Sequence, residues 1–375
     1  MNQSVNFGTN SLDNLEVFLK EKKPKSIFLV TGKKSYLKCG AKHKLEPILK
    51  NYKYTRFFNF EENPKIEDVE KGVAVYNKNH CDLIIAIGGG SAIDIAKLVN
   101  FFNKKSKPFT GNFTSTLSEK DKAPFVAIPT TAGAGSEATH FAVVYANNLK
   151  YSIADKNLTP DVVLIDHSFL KSQSKYQMIV SGLDAFCQGI ESFWCVNSND
   201  ESLEFSRRAI TYSWNNLKNA VKGEEVLHDL AKAAYFAGKA INITKTTGPH
   251  SLSYGFTTNY GLAHGHAVSM FLPFFVKFHK NIDSENCNDL RGPGFVLNQM
   301  KEIADILSVH VDDLEHEIVD FLKELQVEIN FEKLGVDKPG FLTAIEGLNQ
   351  DRLRNNPRLL SKQDISEIYY YNSHL

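Results

Sequence analysis

Residues 82–102 read DLIIAIGGGSAIDIAKLVNFF, and this run constrains the fold more than any other stretch of the chain. An isoleucine-rich strand, three glycines with a serine, and then apolar residues at helical spacing describe a strand, a tight turn and a helix. Gly88, Gly89 and Gly90 let the backbone approach a ligand closely, and Ser91 opens a helix whose unpaired N–H groups suit a phosphate. The pattern is not G-x-G-x-x-G, so ordinary Rossmann recognition is not indicated.

The same alternation of short β-branched runs and helical patterns extends from residue 11 to about residue 170, which predicts a parallel sheet covered by helices. Strands are expected at 26–31, 55–60, 82–87, 125–129 and 162–166, with a helix over 67–79. After FVAIP comes a second small-residue loop, Thr130-Thr131-Ala132-Gly133-Ala134-Gly135-Ser136, whose hydroxyls and glycines suit phosphate or ribose at the carboxyl edge of the sheet. Beyond about residue 172 helical periodicity dominates, as in 202–221, 228–241 and 310–326. The expected organisation is an α/β dinucleotide-binding domain over 1–172 and an all-helical domain over 173–375, with a site in a cleft between them.

Lys+Arg 43 balance Asp+Glu 43, so no net charge draws the chain to nucleic acid or to an anionic membrane. The five cysteines are scattered and no pair has zinc-ribbon spacing. No basic start leads into an apolar run, and no stretch approaches about 18 uninterrupted apolar residues. A soluble cytoplasmic protein with reduced thiols is the expectation, and a homodimer is compatible with it.

The helical half concentrates His250, His264 and His266 in KTTGPHSLSYGFTTNYGLAHGHAV, residues 245–268. Neutral imidazoles clustered in this way are candidate ligands for iron, zinc or nickel. Upstream, in GLDAFCQGIESFW, Asp184 and Gln188 are four apart and therefore share one helix face. Tyr254 follows His250 by one turn, and Asn259-Tyr260-Gly261 reads as the end of that helix, so His264 should start another element.

With GGGSAIDIAK, IPTTAGAGSEAT, GLDAF and AHGHAV in this order, the chain resembles the iron-containing (group III) alcohol dehydrogenase family over nearly its full length. That resemblance implies the dehydroquinate synthase-like fold: an N-terminal dinucleotide domain and a C-terminal all-α domain with one divalent metal, Fe2+ or Zn2+. It implies Asp184, His250 and His264 as ligands. Gln188 stands where the common pattern has histidine, and can serve as a weaker amide ligand, as a group behind the ligands, or as the mark of a site without metal. Tyr254 also stands where many members have histidine, so proton delivery falls to Tyr254, to His266 or to solvent. Lys150 matches a family lysine near the nicotinamide ribose.

NAD-selective members often carry an acidic residue after the first strand, whereas here Thr31 is followed by Gly32, Lys33 and Lys34. Two cations in place of a carboxylate favour NADPH, with NADH as the alternative. Most of all the chain resembles the phosphonoacetaldehyde reductase branch, which implies metal-dependent reduction of that aldehyde to 2-hydroxyethylphosphonate. Cations for the phosphonate are then expected among Lys245, Arg291 and Arg358. Two other readings stay open: a general primary-alcohol or aldehyde dehydrogenase of the same family, and a dehydroquinate synthase-like lyase with no net redox change.

Overall fold

A computed structural model describes residues 3–103, 118–146, 149–221, 226–346, 348 and 350–375. The chain divides into two units, Met1–Ser174 and Lys175–Leu375.

The first unit is built on a six-stranded sheet of β1 (Ser4–Phe7), β2 (Ile27–Thr31), β3 (Tyr54–Phe57), β4 (Leu83–Gly88), β5 (Phe125–Pro129) and β8 (Val162–Ile165). The spatial order is β1-β8-β5-β4-β2-β3 and every pairing is parallel. Strands β2, β4 and β5 are buried at every residue, which is why they read as uninterrupted apolar runs. Alternation along each strand divides the core. Phe28, Val30, Ile84 and Ala86 join one cluster with the helix Gly90–Phe102, while Ile27, Leu29, Ile85 and Ile87 join a second on the opposite face. Each of these side chains larger than alanine contributes about 1.5–3 kcal/mol on burial.

Two parts of this unit depart from the sequence reading. The edge strand β1 begins at Ser4, before the expected start, and its four residues SVNF carry no apolar run long enough to mark a strand. The segment after the second small-residue loop forms an antiparallel pair, β6 (Phe141–Ala146) with β7 (Leu149–Ala154), as a separate two-stranded sheet. The expected strand at 55–60 is Tyr54–Phe57, and the helix expected at 67–79 is Ile66–Lys78.

Strand order reverses between β2 and β4. From β2 the chain moves outward to β3, and from β4 it moves the other way to β5. A reversal of this kind opens a crevice at the carboxyl ends of the strands, where doubly wound sheets take their ligands.

The second unit is helical. Its three long helices, Lys175–Trp194, Asp200–Val221 and Leu227–Thr244, pack on one another, and shorter helices follow, among them Gly248–Tyr260 and His264–Ser269. The helix expected over 310–326 is shorter, Leu314–Glu324, because residues 311–313 form turns. Among the described residues no helix is long and apolar enough to cross a membrane.

Candidate metal centre and cofactor loops

In the first unit, register brings the small-residue loops together. Thr31 pairs with Ile87 and Gly88 pairs with Pro129, so the loops that start at Gly32, Gly89 and Thr130 leave one sheet edge side by side. The Thr130 amide donates to the Gly88 carbonyl at 2.9 Å. A β-carbon on Gly88 would come within 2.7 Å of the Ala92 methyl, so glycine is required where the strand turns into its helix. Gly89 abuts Thr131, and Gly90 abuts Ser136. Ser91, Gly90 and Thr131 are half-buried, while Thr130 and Ser136 are buried. Lys150, on β7, contributes a positive field at Asp94 of the glycine-loop helix.

Lys33 and Lys34 are exposed at the β2 loop. Sequence reasoning missed the residue that shapes this loop. Arg56 on β3 donates to Thr31 Oγ1 at 2.8 Å and to the Gly32 carbonyl at 3.2 Å, and lies between the rings of Tyr36 and Phe58.

A buried ionic group holds the second loop. The Lys97 ammonium, fully buried, donates to the carbonyls of Ser136, Thr139 and Phe141 at 2.6, 2.8 and 2.7 Å. Burial pushes Lys97 down to about 8 against the pull of Asp94 and Glu137. Burial likewise lifts Asp94 to about 6 and Glu137 to about 7, and Lys97 opposes both.

In the second unit, the Lys175–Trp194 helix is buried from Ile179 to Trp194 and displays Asp184, Gln188 and Glu191 along one stripe. Gly248–Tyr260 starts with Pro249 in its first turn and ends at Gly261 in the left-handed conformation (φ 67°), as NYG predicts. After two intervening residues the chain starts again as a helix at His264. Gly265 makes that approach feasible, since a β-carbon there would lie 1.8 Å from the Val180 carbonyl oxygen and 3.0 Å from the Asp184 β-carbon.

The two helix starts bring imidazoles onto one carboxylate. Asp184 Oδ1 lies 3.3 Å from His250 Nε2 and 4.0 Å from His264 Nε2. Ligand atoms of Asp184, His250 and His264 all fall within 4.8 Å of one another. Donors about 2.1 Å from a shared tetrahedral ion sit roughly 3.4 Å apart, so the 3.3 and 4.0 Å separations from Asp184 suit a transition metal after a small closing movement of the imidazoles. Asp184 and His250 are buried, whereas the His264 side chain is 36% exposed, which leaves the centre open on the His264 side. Gln188 reaches Asp184 Oδ1 through its amide nitrogen at 3.2 Å. Among the described residues, two buried acceptor atoms here have no hydrogen-bond partner: His250 Nε2 and Gln188 Oε1. Orphaned acceptors of this kind are costly unless something binds them.

Charge balance gives the same picture. Burial would raise the Asp184 carboxyl, but His264 and His250 outweigh it and hold it below the ordinary carboxylate range. Burial would lower His250, but Glu191 and Asp184 together raise it. The cluster therefore favours a positive charge among its members, and a divalent cation satisfies this as a proton does. The donor set fits one such ion.

Behind the ligands stands Glu191, fully buried and absent from the sequence reading. One carboxylate oxygen meets His250 Nδ1, and the other accepts from the Thr247 amide at 2.7 Å and the Thr247 hydroxyl at 2.9 Å. Trp194 Nε1 donates to the same hydroxyl at 3.0 Å. With Nδ1–H committed to Glu191, His250 keeps Nε2 as a lone pair. The available signal was its position seven residues after Asp184, as the lone acid of an apolar run.

The remaining expected site residues scatter. Tyr254 lies beside His264, with ring centroids 6.0 Å apart and planes within 10°. His266 does not face the cluster. Its Nε2 donates to the Glu328 carbonyl at 2.6 Å, its Nδ1 accepts from the Tyr176 hydroxyl at 2.9 Å, and burial lowers its pKa, so it is a neutral structural pin. Residues two apart on a helix point apart, which explains the divergence from His264. Lys245 is exposed at the end of its helix with φ 62°. Arg291 is spent on Asp289 and on the carbonyls of Cys195 and Ser198 beyond the far end of the Asp184 helix. Arg358 is spent on the Phe278 carbonyl and ring. An arginine that sequence did not single out, Arg352, lies 5.4 Å over the Tyr254 ring and donates to Thr246 Oγ1.

Comparison with known proteins places this architecture. Residues 2–167 match the iron-containing alcohol dehydrogenase family, and residues 178–372 match the C-terminal region of the Fe-containing alcohol dehydrogenase family. Aldehyde-alcohol dehydrogenase 2 of Entamoeba histolytica is 32% identical over 68% of the chain, which spans only 31% of that longer protein. The phosphonoacetaldehyde reductase of Streptomyces viridochromogenes is 27% identical over 76% of the chain and 75% of its own length. The crystal structure of an iron-containing alcohol dehydrogenase superposes with a TM-score of 0.85 at 26% identity, covering 100% of this chain and 98% of that one. The chain belongs to the iron-containing alcohol dehydrogenase family, and with it to the NAD(P)-linked alcohol dehydrogenases and aldehyde reductases.

Proposed function

We propose that this chain uses NADPH to reduce phosphonoacetaldehyde to 2-hydroxyethylphosphonate, with one divalent metal, Fe2+ or Zn2+, held by Asp184, His250 and His264. The observation that carries the reading is the pair of orphaned acceptors, His250 Nε2 and Gln188 Oε1, beside an Asp184 carboxylate that also faces His264. When bound, the ion supplies Lewis acidity at the carbonyl oxygen. Asp184 contributes the negative charge, and Glu191 fixes the tautomer of His250. The Gln188 oxygen suits a fourth, weaker ligand after rotation of its amide.

Reduction adds a hydride from the nicotinamide to the carbonyl carbon and a proton to its oxygen, leaving NADP+ and a primary alcohol. Tyr254, whose ring runs parallel to the His264 imidazole at 6.0 Å, would relay that proton. His266 would not, because both its ring nitrogens are engaged. In the first unit, the loops from Gly32, Gly89 and Thr130, together with Lys150, take the cofactor, and Lys33 and Lys34 meet the additional phosphate of NADPH. The phosphonate specificity draws support from the Streptomyces relative.

NADPH oxidation measured with phosphonoacetaldehyde and with propanal tests the reading. A kcat/KM at least about 100-fold higher for the phosphonate is expected, as befits a charged group read by a charge-assisted bond. Comparable efficiency with propanal would instead favour a general aldehyde reductase. Substrate turnover at constant NADPH absorbance would favour a lyase.

A further inference from the structure

We propose that Arg352 binds the acidic end of the substrate and so selects a short aldehyde bearing a phosphonate group. The proposal rests on the reading that an aldehyde is reduced at the Asp184, His250 and His264 cluster. It starts from a substitution of cations. Arg291 and Arg358, the arginines that sequence offers, are committed to backbone carbonyls of the fold, and Lys245 is an exposed residue at a helix end. The fold brings a different arginine to the helix that carries His250 and Tyr254.

Arg352 stands in the short helix Gln350–Leu353, which packs on Gly248–Tyr260, the helix that carries His250 and Tyr254. Its guanidinium lies 5.4 Å over the Tyr254 ring, and that ring is parallel to the His264 imidazole at 6.0 Å. The Tyr254 ring therefore neighbours both the cation and a ligand on the open side of the centre. A substrate lying along Tyr254 with its carbonyl toward the ligands would thus present its oxyanion to Arg352.

The cation is also held in place. Arg352 Nη1 donates to Thr246 Oγ1, a residue only 2% exposed. Asn355, three residues on, donates to the Thr246 carbonyl at 3.1 Å, and its own carbonyl accepts from the Val196 amide at 3.1 Å. Thr247, next in the chain, is bound to Glu191 and Trp194. The guanidinium is planar with five donors in a fork, a geometry that serves a hydroxyl and a tetrahedral oxyanion together. A lysine would offer charge without the fork.

Arg352→Met and Arg352→Lys, prepared with bound metal, test the assignment. The readouts are metal content, kcat and KM for phosphonoacetaldehyde and for propanal, and calorimetric affinity for 2-hydroxyethylphosphonate. Arg352→Met is expected to keep its metal and to lower the phosphonoacetaldehyde-to-propanal ratio of kcat/KM by about 100-fold, chiefly through the KM of the phosphonate. Arg352→Lys should recover part of that ratio. Equal losses on both aldehydes would reduce Arg352 to a brace for Thr246, and an unchanged ratio would remove it from recognition altogether. If the unsubstituted enzyme turns over neither aldehyde, the reduction reading fails by itself. Calorimetry then still decides Arg352, with weakened binding in Arg352→Met for it and equal binding against it.

Discussion

His250 turns its Nδ1 onto the buried Glu191 carboxylate, and this leaves its Nε2 directed at Asp184, 3.3 Å from Oδ1. The pairing sets which nitrogen can ligate, and a carboxylate behind a histidine also makes the ring a stronger donor. Glu191→Gln keeps the shape and one of the two hydrogen-bond acceptors but removes the charge. Metal affinity, measured by competition with a chelator, should fall about 10–100-fold with the fold intact. Unchanged affinity would reduce Glu191 to a partner of Thr247.

Gly265 is the second support of the centre. A methyl group there meets the Val180 carbonyl at 1.8 Å, so Gly265→Ala must move the start of the His264 helix away from Asp184. We expect loss of metal together with about 1–3 kcal/mol of stability, the usual cost of overpacking. Gly294→Ala is the control, because nothing lies within 4 Å of its β-position in the first turn of the helix Pro293–Leu307. That variant should gain up to about 1 kcal/mol. Full metal content in Gly265→Ala would show that the two helices tolerate separation.

Which features sequence disclosed follows from what each residue touches. β2, β4 and β5 are buried on both faces, so their apolar runs announced them, whereas β1 is a four-residue edge strand with polar positions. Asp184, His250 and His264 were legible because metal-type donors at family spacing are scarce in any chain. Glu191 was not, since a single glutamate in an apolar helix declares its partner only after Thr247 and His250 are folded against it. The arginines are the instructive failure. Nothing in RGPG, QDRLR or NNPR says whether a guanidinium will be claimed by backbone carbonyls, as in Arg291 and Arg358, or laid over an aromatic ring that neighbours His264, as in Arg352.

The proposed preference for NADPH rests on the loop after β2. Lys33 and Lys34 are exposed there, on a loop whose carbonyls are gripped by Arg56. The double variant Lys33→Ala/Lys34→Ala should raise KM for NADPH at least about tenfold and leave KM for NADH within about twofold, since the lysines act on the additional phosphate. A constant NADPH-to-NADH ratio would remove both residues from cofactor selection.

The buried charges under the second loop make a pH signature. Burial raises Glu137 from 4.5 to about 7, so its contribution to stability is complete below about 4.5 and disappears as pH rises through 7. Glu137→Gln lacks that titration. The difference in Tm, wild type minus Glu137→Gln, should therefore be most positive near pH 4.5 and shrink steadily toward pH 7.5. Parallel Tm curves for the two proteins would contradict a raised Glu137.

Metal content and turnover, measured on one preparation before and after chelation, test the central claim most directly. One divalent ion per chain and NADPH-linked reduction of phosphonoacetaldehyde should vanish together on chelation and return together when Fe2+ or Zn2+ is restored. In Asp184→Ala and His264→Ala, neither should return. Full turnover by metal-free protein, or by either variant, would contradict the assignment of Asp184, His250 and His264 as a catalytic metal centre.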